Sequence, residues 1–494
     1  MLEQIDLDKS LSKNEYKKIE EEEIKKLSRL QRIIKEEKIP VLLVFEGWSA
    51  SGRGKLMNEL ITPLDQRGVK VYTVEEETQE EKAHSFFWPF WTNLPPKGKI
   101  HLYNMSWYKR AMDKQRDEEE APRYGDINFF EEQLVKDGMV IVKFFLHISK
   151  EEQAQRFEKL KSRKDTKWRV SKKDQRENHH YEEYLESYDR MLIATDTSYA
   201  PWHVIEATDK RYAAAKIFST VEKAISKAVA QKKAAEEQKK QEPQDEFDKW
   251  SDQFKAGVLN QIDLSKKMTK EEYKAKIEKL QSKLFLLQNR MYQEKIPVII
   301  ALEGWDAAGK GGAIKRITEK LDPRAYQVIP ISAPNDMEQQ FPYLWRFYMH
   351  FPRKGHLAVF DRTWYGRVLV ERVEGFADKK DWQRAYSEIN RMEQSLTNDG
   401  YIILKFWLHI DPQEQEKRFK AREEEPEKQW KITEEDWRNR AKWKEYEDAV
   451  DEMVVRTSTD YAPWTIVEAD SKYYARVKIL ETIVETVEKR LEGK

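Results

Sequence analysis

The sequence contains no cysteine, which excludes disulfides, thiolate metal sites and thiol catalysis. It begins MLEQIDLDKSLSKNEYKK, without the apolar core of a secretory signal. No apolar run reaches the length of a membrane span. The expectation is a soluble, cytoplasmic chain with no membrane partner. Net charge is also lacking, because 89 Lys and Arg face 89 Asp and Glu. Global charge therefore gives no help to a polyanion, which would need a locally basic channel, and nucleic acid is not an expected partner.

What the chain does have is length and a repeat. At 494 residues, with 39% hydrophobic and 12% aromatic content, it can build two packed domains. The segment VLLVFEGWSASGRGK at 41–55 recurs as VIIALEGWDAAGKGG at 298–312, an offset of 304 − 47 = 257. The same offset pairs Gln4-Ile5-Asp6-Leu7 with Gln261-Ile262-Asp263-Leu264, and Trp107-Tyr108 with Trp364-Tyr365. Further on the offset becomes 409 − 147 = 262, pairing VKFFLHIS with LKFWLHID, Trp168 with Trp430, and Ala200-Pro201-Trp202 with Ala462-Pro463-Trp464. The second copy thus gains five residues (262 − 257), placed within Val373–Gln383. Repeats on this scale define the architecture. They delimit a first domain at 1–227, a charged linker at 228–256 and a second domain at 257–494; the stretch 228–250, rich in Ala, Gln, Lys and Glu, reads as a helical tail running into that linker.

Short apolar runs alternate with helical patterns, which predicts α/β domains with a parallel sheet and crossover helices. In the second copy the predicted strands are Val298–Leu302, Tyr326–Ile331, His356–Phe360, Tyr401–His409 and Thr465–Glu468. The predicted helices are Gly311–Lys320, Trp382–Asn398, Pro412–Glu424, Glu434–Arg456 and Lys472–Leu491, with Thr269–Gln293 as a helical preface. The excursion between the fourth and fifth strands is where P-loop kinases of small molecules carry a lid.

Three groups of residues carry chemistry. Gly304-Trp305-Asp306-Ala307-Ala308-Gly309-Lys310 follows an apolar strand and opens a helix. Its glycines permit a concave loop whose N–H groups face phosphate oxygens, and Lys310 adds a charge. The pattern alone is a modest signal; strand before and helix after strengthen it. The next residue is Gly311, not the usual Ser or Thr, so the common hydroxyl ligand for Mg²⁺ is missing. Asp306 is the natural replacement, because Mg²⁺ prefers hard oxygen ligands. Second, Asp361-Arg362 ends an apolar strand, where P-loop enzymes place another metal-organising carboxylate. An isolated Asp there would be an ordinary turn residue; the loop upstream favours a functional one. Arg367 follows. Third, Arg418 and Arg422 lie four apart on one helix face, with Lys428, Trp430 and Lys431 beyond; paired guanidiniums suit a phosphate chain. Either arginine alone reads equally well as part of a solvated face, for example paired with Glu414. His147 and His409, at matching strand ends, read as structural.

Taken together, EGWDAAGKGGAIKRI, FDRTWYGR, KFWLHIDPQEQEKRFKAR, the QWK after it, and YAPW with Lys472 and Arg476 resemble the polyphosphate kinase 2 family. The likeness covers both halves outside the linker, and the tandem arrangement resembles the two-domain members that phosphorylate AMP. The resemblance implies two tandem P-loop kinase-like domains, each a five-stranded parallel sheet flanked by helices with a helical lid. It implies Mg²⁺-dependent phosphoryl transfer from inorganic polyphosphate to AMP, giving ADP. Asp306, Lys310, Asp361 and Arg362 would form the catalytic centre, with Asp306 and Asp361 as metal ligands. Gly304, Gly309, Gly311, Arg367, Arg418 and Arg422 would contact phosphates. Alternatives are a polyphosphate-dependent kinase of nucleoside diphosphates, an ATP-dependent nucleoside monophosphate kinase, and a non-catalytic polyphosphate-binding scaffold.

In the first copy Asp306 corresponds to Ser49, Lys310 to Arg53, Asp361 to Asn104, Arg362 to Met105, Arg422 to Leu160 and Arg476 to Ala214. Without either carboxylate a Mg²⁺ ion has no protein anchor. Arg110, Lys143 and Arg156 match Arg367, Lys405 and Arg418, which leaves room for residual anion affinity. The expected role of the first copy is structural, standing in for the second subunit of a symmetric dimer; the tandem chain could itself form a homo-oligomer.

Overall fold

The structure is a computed structural model that describes residues 2–112, 124–241, 257–427, 429, 432 and 434–493. Two compact units divide the chain, one drawn mainly from its N-terminal half and the other mainly from its C-terminal half.

The apolar runs of the first half become strands β1 (Val41–Gly47), β2 (Val69–Thr73), β3 (Ile100–Asn104), β4 (Val140–His147) and β5 (Trp202–Glu206). The second half repeats them as β6 (Val298–Gly304), β7 (Tyr326–Pro330), β8 (Leu357–Asp361), β9 (Ile402–His409) and β10 (Trp464–Glu468). Each set forms a five-stranded sheet, in the orders β2-β3-β1-β4-β5 and β7-β8-β6-β9-β10. Every pairing is parallel. In β1, β4 and β9 every residue is buried, as is β6 up to its final glycine. These strands therefore read as continuous apolar runs and not as alternating ones.

The flanking helices follow local signals. Lys270–Glu294 starts at a Thr269 cap closed reciprocally by Glu272, and packs against the terminal helix Lys472–Glu492. Pro412–Glu424 starts behind an Asp411 cap with proline in its first turn. In the first unit the terminal helix runs Lys210–Gln241, so the helical tail expected from 228 is helix to Gln241; residues 242–256 lie outside the described ones. The first-copy counterpart of the stretch expected to hold the five-residue gain also falls largely outside them.

One expectation needs correction. The helix predicted over Glu434–Arg456 is two helices, Glu434–Ala441 and Trp443–Thr457, broken at Lys442 with φ −103° and ψ 31°. The break turns the chain so that Trp443 stacks on Trp305, ring centres 3.7 Å apart and planes within 12°. The first unit breaks identically at His180 and stacks Tyr181 on Trp48 at 4.0 Å. Helical periodicity carries through such a one-residue break, which is why the sequence pattern conceals it.

Below each sheet's strand ends lies a buried ionic network. Lys405 Nζ donates to Glu393 Oε2 (2.7 Å), to the Tyr365 hydroxyl (2.8 Å) and to the Thr457 carbonyl (2.7 Å). Trp364 Nε1 and the Tyr365 hydroxyl donate to the other Glu393 oxygen. Lys143 and Glu131 repeat the arrangement in the first unit. With both side chains wholly buried, removing one strands the other. Lys405→Met should destabilise by about 3–5 kcal/mol. Adding Glu393→Gln should recover most of that loss. Urea denaturation of the two variants measures both.

Candidate active site

The site grows from the C-terminal end of β6, at the centre of the second sheet, where open α/β sheets place their ligands. Leu302 lies opposite Asp361 of β8, and Gly304 opposite Leu408 of β9. At Gly304 (φ +150°) a Cβ would come within 2.6 Å of the Leu408 carbonyl oxygen, so only glycine allows the strands this close. The chain then loops and enters helix Lys310–Thr318 through Gly309, in the left-handed conformation at φ +115°. The first N–H groups of that helix have no helical partners, and Lys310, Gly311 and Gly312 line the cavity beside the loop. A Cβ on Gly311 would meet nothing within 4 Å, which leaves the position of the missing hydroxyl open.

The outside of the loop is gripped at its carbonyls. Arg418 donates to the carbonyls of Ala307 (3.1 Å), Ala308 (3.0 Å), Ala469 (2.8 Å) and Asp470 (2.9 Å), and to Glu414 (2.7 Å). Gln415 Nε2 donates to the Asp306 carbonyl at 3.1 Å. Trp305 Nε1 donates to His409 Nδ1 at 3.0 Å; burial pushes the His409 pKa down to about 4, so the ring stays neutral and accepts. Beneath, Glu303 accepts from the backbone and hydroxyl of Thr363 at 2.7 and 2.8 Å. Burial raises the Glu303 carboxyl above its usual range against the pull of Lys310.

Inside the loop lies a cavity of about 560 Å³, lined in part by Asp306, the loop backbone, Lys310, Asp361, Arg362, Arg422 and Asp436. Lys310 Nζ rests on the Gly304 (2.7 Å) and Trp305 (3.3 Å) carbonyls. The Asp306 carboxylate takes a hydrogen bond from Asn439 Nδ2 at 3.0 Å and lies 3.5 Å from Arg362 Nη2. Arg362 holds a left-handed backbone, φ +66°. Met105 does the same in the first copy at +62°, so this strain belongs to the fold and not to the charge it carries. Burial lowers the Arg422 pKa, while Asp436 and Asp306 pull it back.

Asp306 and Asp361, facing one cavity that Asp436 also lines, with no hydroxyl after the lysine, suit a hard divalent cation that keeps several water or phosphate ligands. Among the described residues no group of three or more His, Cys, Asp or Glu converges, so such an ion would complete its shell from substrate and water.

Of the residues expected from sequence, Asp306, Lys310, Asp361, Arg362, Arg422 and the loop glycines Gly309 and Gly311 line this cavity. Gly304 shapes its floor. Arg418 does not line it: all five of its donors go to protein, and its geometry is that of a clamp on the loop, not of a phosphate ligand. Arg367 pairs with Glu371 at 3.0 Å and lies over the Tyr343 ring at 4.3 Å, also outside the lining. Arg476 borders Gly312. Lys428, Trp430 and Lys431 lie outside the described residues. The sequence reading missed Asn439, Asp436 and Trp443. Asn439 had a signal: its first-copy counterpart is Glu177, so the pair 306/439 changes from Asp/Asn to Ser/Glu.

In the first copy the residues at the matching positions bond to the protein itself, and Arg53 reaches the counterparts of the two carbonyls that Lys310 reaches. Arg53 donates to the Gly47 carbonyl, to the Trp48 carbonyl (3.1 Å) and to Asn104 Oδ1 (3.2 Å). The buried Glu177 carboxylate accepts from Ser49 N (3.0 Å), Gln153 (2.9 Å) and the Tyr188 hydroxyl (2.8 Å). The three retained cations are tied to protein. Arg156 grips four loop and strand-end carbonyls and Glu152. Lys143 sits in its buried network, and Arg110 faces Glu77 at 3.6 Å over the Phe90 ring. Structural duty accounts for their retention without anion binding.

The model of the family described as polyphosphate kinase 2 matches residues 10–233 and again 267–494. A polyphosphate:AMP phosphotransferase of Pseudomonas aeruginosa is 38% identical over 495 residues, covering 99% of each chain. One from Acinetobacter johnsonii is 33% identical, covering 90% of each. A GDP-polyphosphate phosphotransferase of Mycobacterium tuberculosis is 37% identical, but over 45% of this chain and 76% of its own. The crystal structure of a putative polyphosphate kinase 2 from Pseudomonas aeruginosa superposes with a TM-score of 0.88 at 36% identity, covering all of both chains. With the family matched twice in succession over nearly the whole sequence, the chain belongs to the polyphosphate kinase 2 family as a tandem, two-domain member.

Proposed function

We propose that the chain transfers the terminal phosphoryl group of inorganic polyphosphate to AMP, giving ADP and a polyphosphate shorter by one unit, and that the second copy alone does the chemistry. The observation that carries the choice of acceptor is the extent of the likeness. Relatives named for AMP match the tandem chain over 90% or more of its length, whereas relatives named for ADP or GDP match less than half of it.

The groups in the second cavity suit this reaction. The loop N–H groups and Lys310 bind the phosphates at the reacting end of the donor. The AMP phosphate already carries an anionic oxygen, so no general base is required to make the nucleophile. That oxygen forms a new P–O bond while the bridging P–O bond to the next unit breaks, and the leaving oxygen departs with its electron pair as the new chain end. Two anions must approach one another, so neutralising charge is the main task of the site. Arg362 and Arg422 supply positive charge around the transferring group. Asp306 and Asp361 would hold Mg²⁺, which when bound screens phosphate oxygens and stabilises the charge developing on the transferred group. Without both carboxylates, and with Arg53 in place of the lysine, the first copy is proposed to serve as scaffold.

Product analysis is the direct test. The protein is incubated with Mg²⁺ and long-chain polyphosphate plus AMP, GMP or ADP, and in parallel with ATP as donor. ADP formed from polyphosphate and AMP is expected. AMP phosphorylation with ATP alone as donor would overturn the reading. Asp306→Asn and Asp361→Asn keep shape but remove charge; each should cut kcat by two orders of magnitude or more, corresponding to roughly 3 kcal/mol of transition-state stabilisation, with an unchanged circular-dichroism spectrum.

The copies should respond unequally. Lys310→Ala is expected to abolish transfer, whereas Arg53→Ala, which disturbs only contacts inside the first copy, should leave kcat within about twofold. Equal damage from the two, in chains that fold and assemble normally, would rule out a purely structural first copy.

A further inference from the structure

Besides Arg362 at 3.5 Å on Oδ1, Asp306 has a neutral partner on its other oxygen. Asn439 donates its amide to Oδ2 at 3.0 Å, and its own carbonyl oxygen accepts from the Tyr446 hydroxyl at 3.3 Å. That hydroxyl in turn lies 3.5 Å from Glu374. The amide orientation follows from chemistry, because only the NH₂ end can donate to a carboxylate and only the oxygen can accept from a phenol.

The helix that carries Asn439 is tethered without it. Arg438 pairs with Glu374 at 3.4 Å, and Arg440 binds Glu416 (3.0 Å), Gln415 (3.1 Å) and the Pro412 carbonyl (2.7 Å). Trp443 stacks on Trp305 just beyond. Between two anchoring arginines, Asn439 alone is turned toward the loop carboxylate. A third cation here would neutralise Asp306 and compete with any metal for it. A carboxylate would repel it. An amide fixes the direction of the carboxylate and leaves its charge intact.

The first copy supplies an independent observation. There the position of Asn439 is Glu177 and that of Asp306 is Ser49, and Glu177 accepts from the Ser49 N–H. The negative charge has moved from loop to helix, and the pair still makes one contact. Each copy holds one carboxylate at this junction, not two.

We propose that Asn439 is a positioning residue for phosphoryl transfer, holding the Asp306 carboxylate in the orientation in which it serves a divalent cation. This rests on the proposed reaction, in which Asp306 is a metal ligand. Residues that orient metal ligands typically contribute 10- to 100-fold to affinity or rate.

The test separates orientation from tethering. In the full chain Asn439→Ala should lower kcat at saturating Mg²⁺ by roughly 10- to 100-fold, and raise the half-saturating Mg²⁺ concentration by about tenfold. KM for AMP and for polyphosphate should stay within about threefold. A tether would shift KM or stability without moving the Mg²⁺ profile. The second readout needs neither metal nor substrate. In EDTA, Asn439→Glu should lower the melting temperature by setting two carboxylates together, and adding Asp306→Ser, which recreates the first-copy pair, should restore it. Wild-type turnover together with an unshifted Mg²⁺ profile in Asn439→Ala overturns the proposal, as does a double variant no more stable than Asn439→Glu alone. Absence of polyphosphate-to-AMP transfer in the wild type would instead overturn the functional reading.

Discussion

A loop that binds phosphate must aim its N–H groups at empty space before the phosphate arrives. The cost is that its carbonyls face the other way and need partners of their own. Arg418 meets this need in the second unit and Arg156 in the first. Each sends its guanidinium across from the helix after the fourth strand, to two loop carbonyls and two carbonyls beyond the fifth strand. One planar fork thus ties loop, helix and sheet edge together, and a lysine could not, having neither five donors nor their fixed geometry. The glycine at the strand crossing, the tryptophan anchored on a neutral histidine, and the left-handed residue after the third strand are all arranged around the shape that this fork holds.

The same fork separates scaffold from chemistry. Whatever both copies share is explained by folding: the fork, the buried Lys–Glu–Tyr network, the Trp–His bond, the aromatic stack at the broken helix, and the strained backbone at Arg362 and Met105. The differences that bear on chemistry gather at the loop and the cavity beside it. There the second copy offers Asp306, Asp361, a lysine and arginines around a cavity that Asp436 also lines, while the first carries Ser49, Asn104 and Arg53 at the matching positions, with Glu177 bonded to the Ser49 N–H. A chain that carries both versions provides its own control, because the contacts that folding requires are visible twice.

Much of this was legible in the sequence. The repeat, the five strands of each sheet, the loop with Asp306 and the strand-end Asp361 follow from apolar runs, glycine placement and a shared order of aromatics. The strand bounds shifted by one or two residues, because a parallel strand's end is set by its neighbours' register and not by its own composition. Arg418 and Arg422 were indistinguishable in sequence, four apart on one helix face. Yet burial gives the first to the loop's carbonyls and leaves the second at the cavity. Helical spacing places side chains on a face but does not say how deep that face lies. The break at Lys442 was hidden for a related reason, since no proline or glycine marks it and stacking of Trp443 on Trp305 is a tertiary event.

The charge balance of the whole chain takes on meaning at the site. With equal numbers of acidic and basic residues, long-range attraction cannot hold a polyanion, so affinity must arise from a few cations kept close to the reacting phosphate. In the proposed reaction carboxylates would hold a metal beside those cations, and carboxylates repel the same phosphate. Such a site works only if its negative groups are few and strictly aimed. Replacing a loop hydroxyl by Asp306 adds a charge that must be directed, and a neutral amide from Asn439 directs it without cancelling it. In the first copy, where the loop carries Ser49, the opposing residue is free to be acidic, and it is. The two junctions share one electrostatic feature, a single carboxylate in each pair, and differ in whether the loop or the helix carries it.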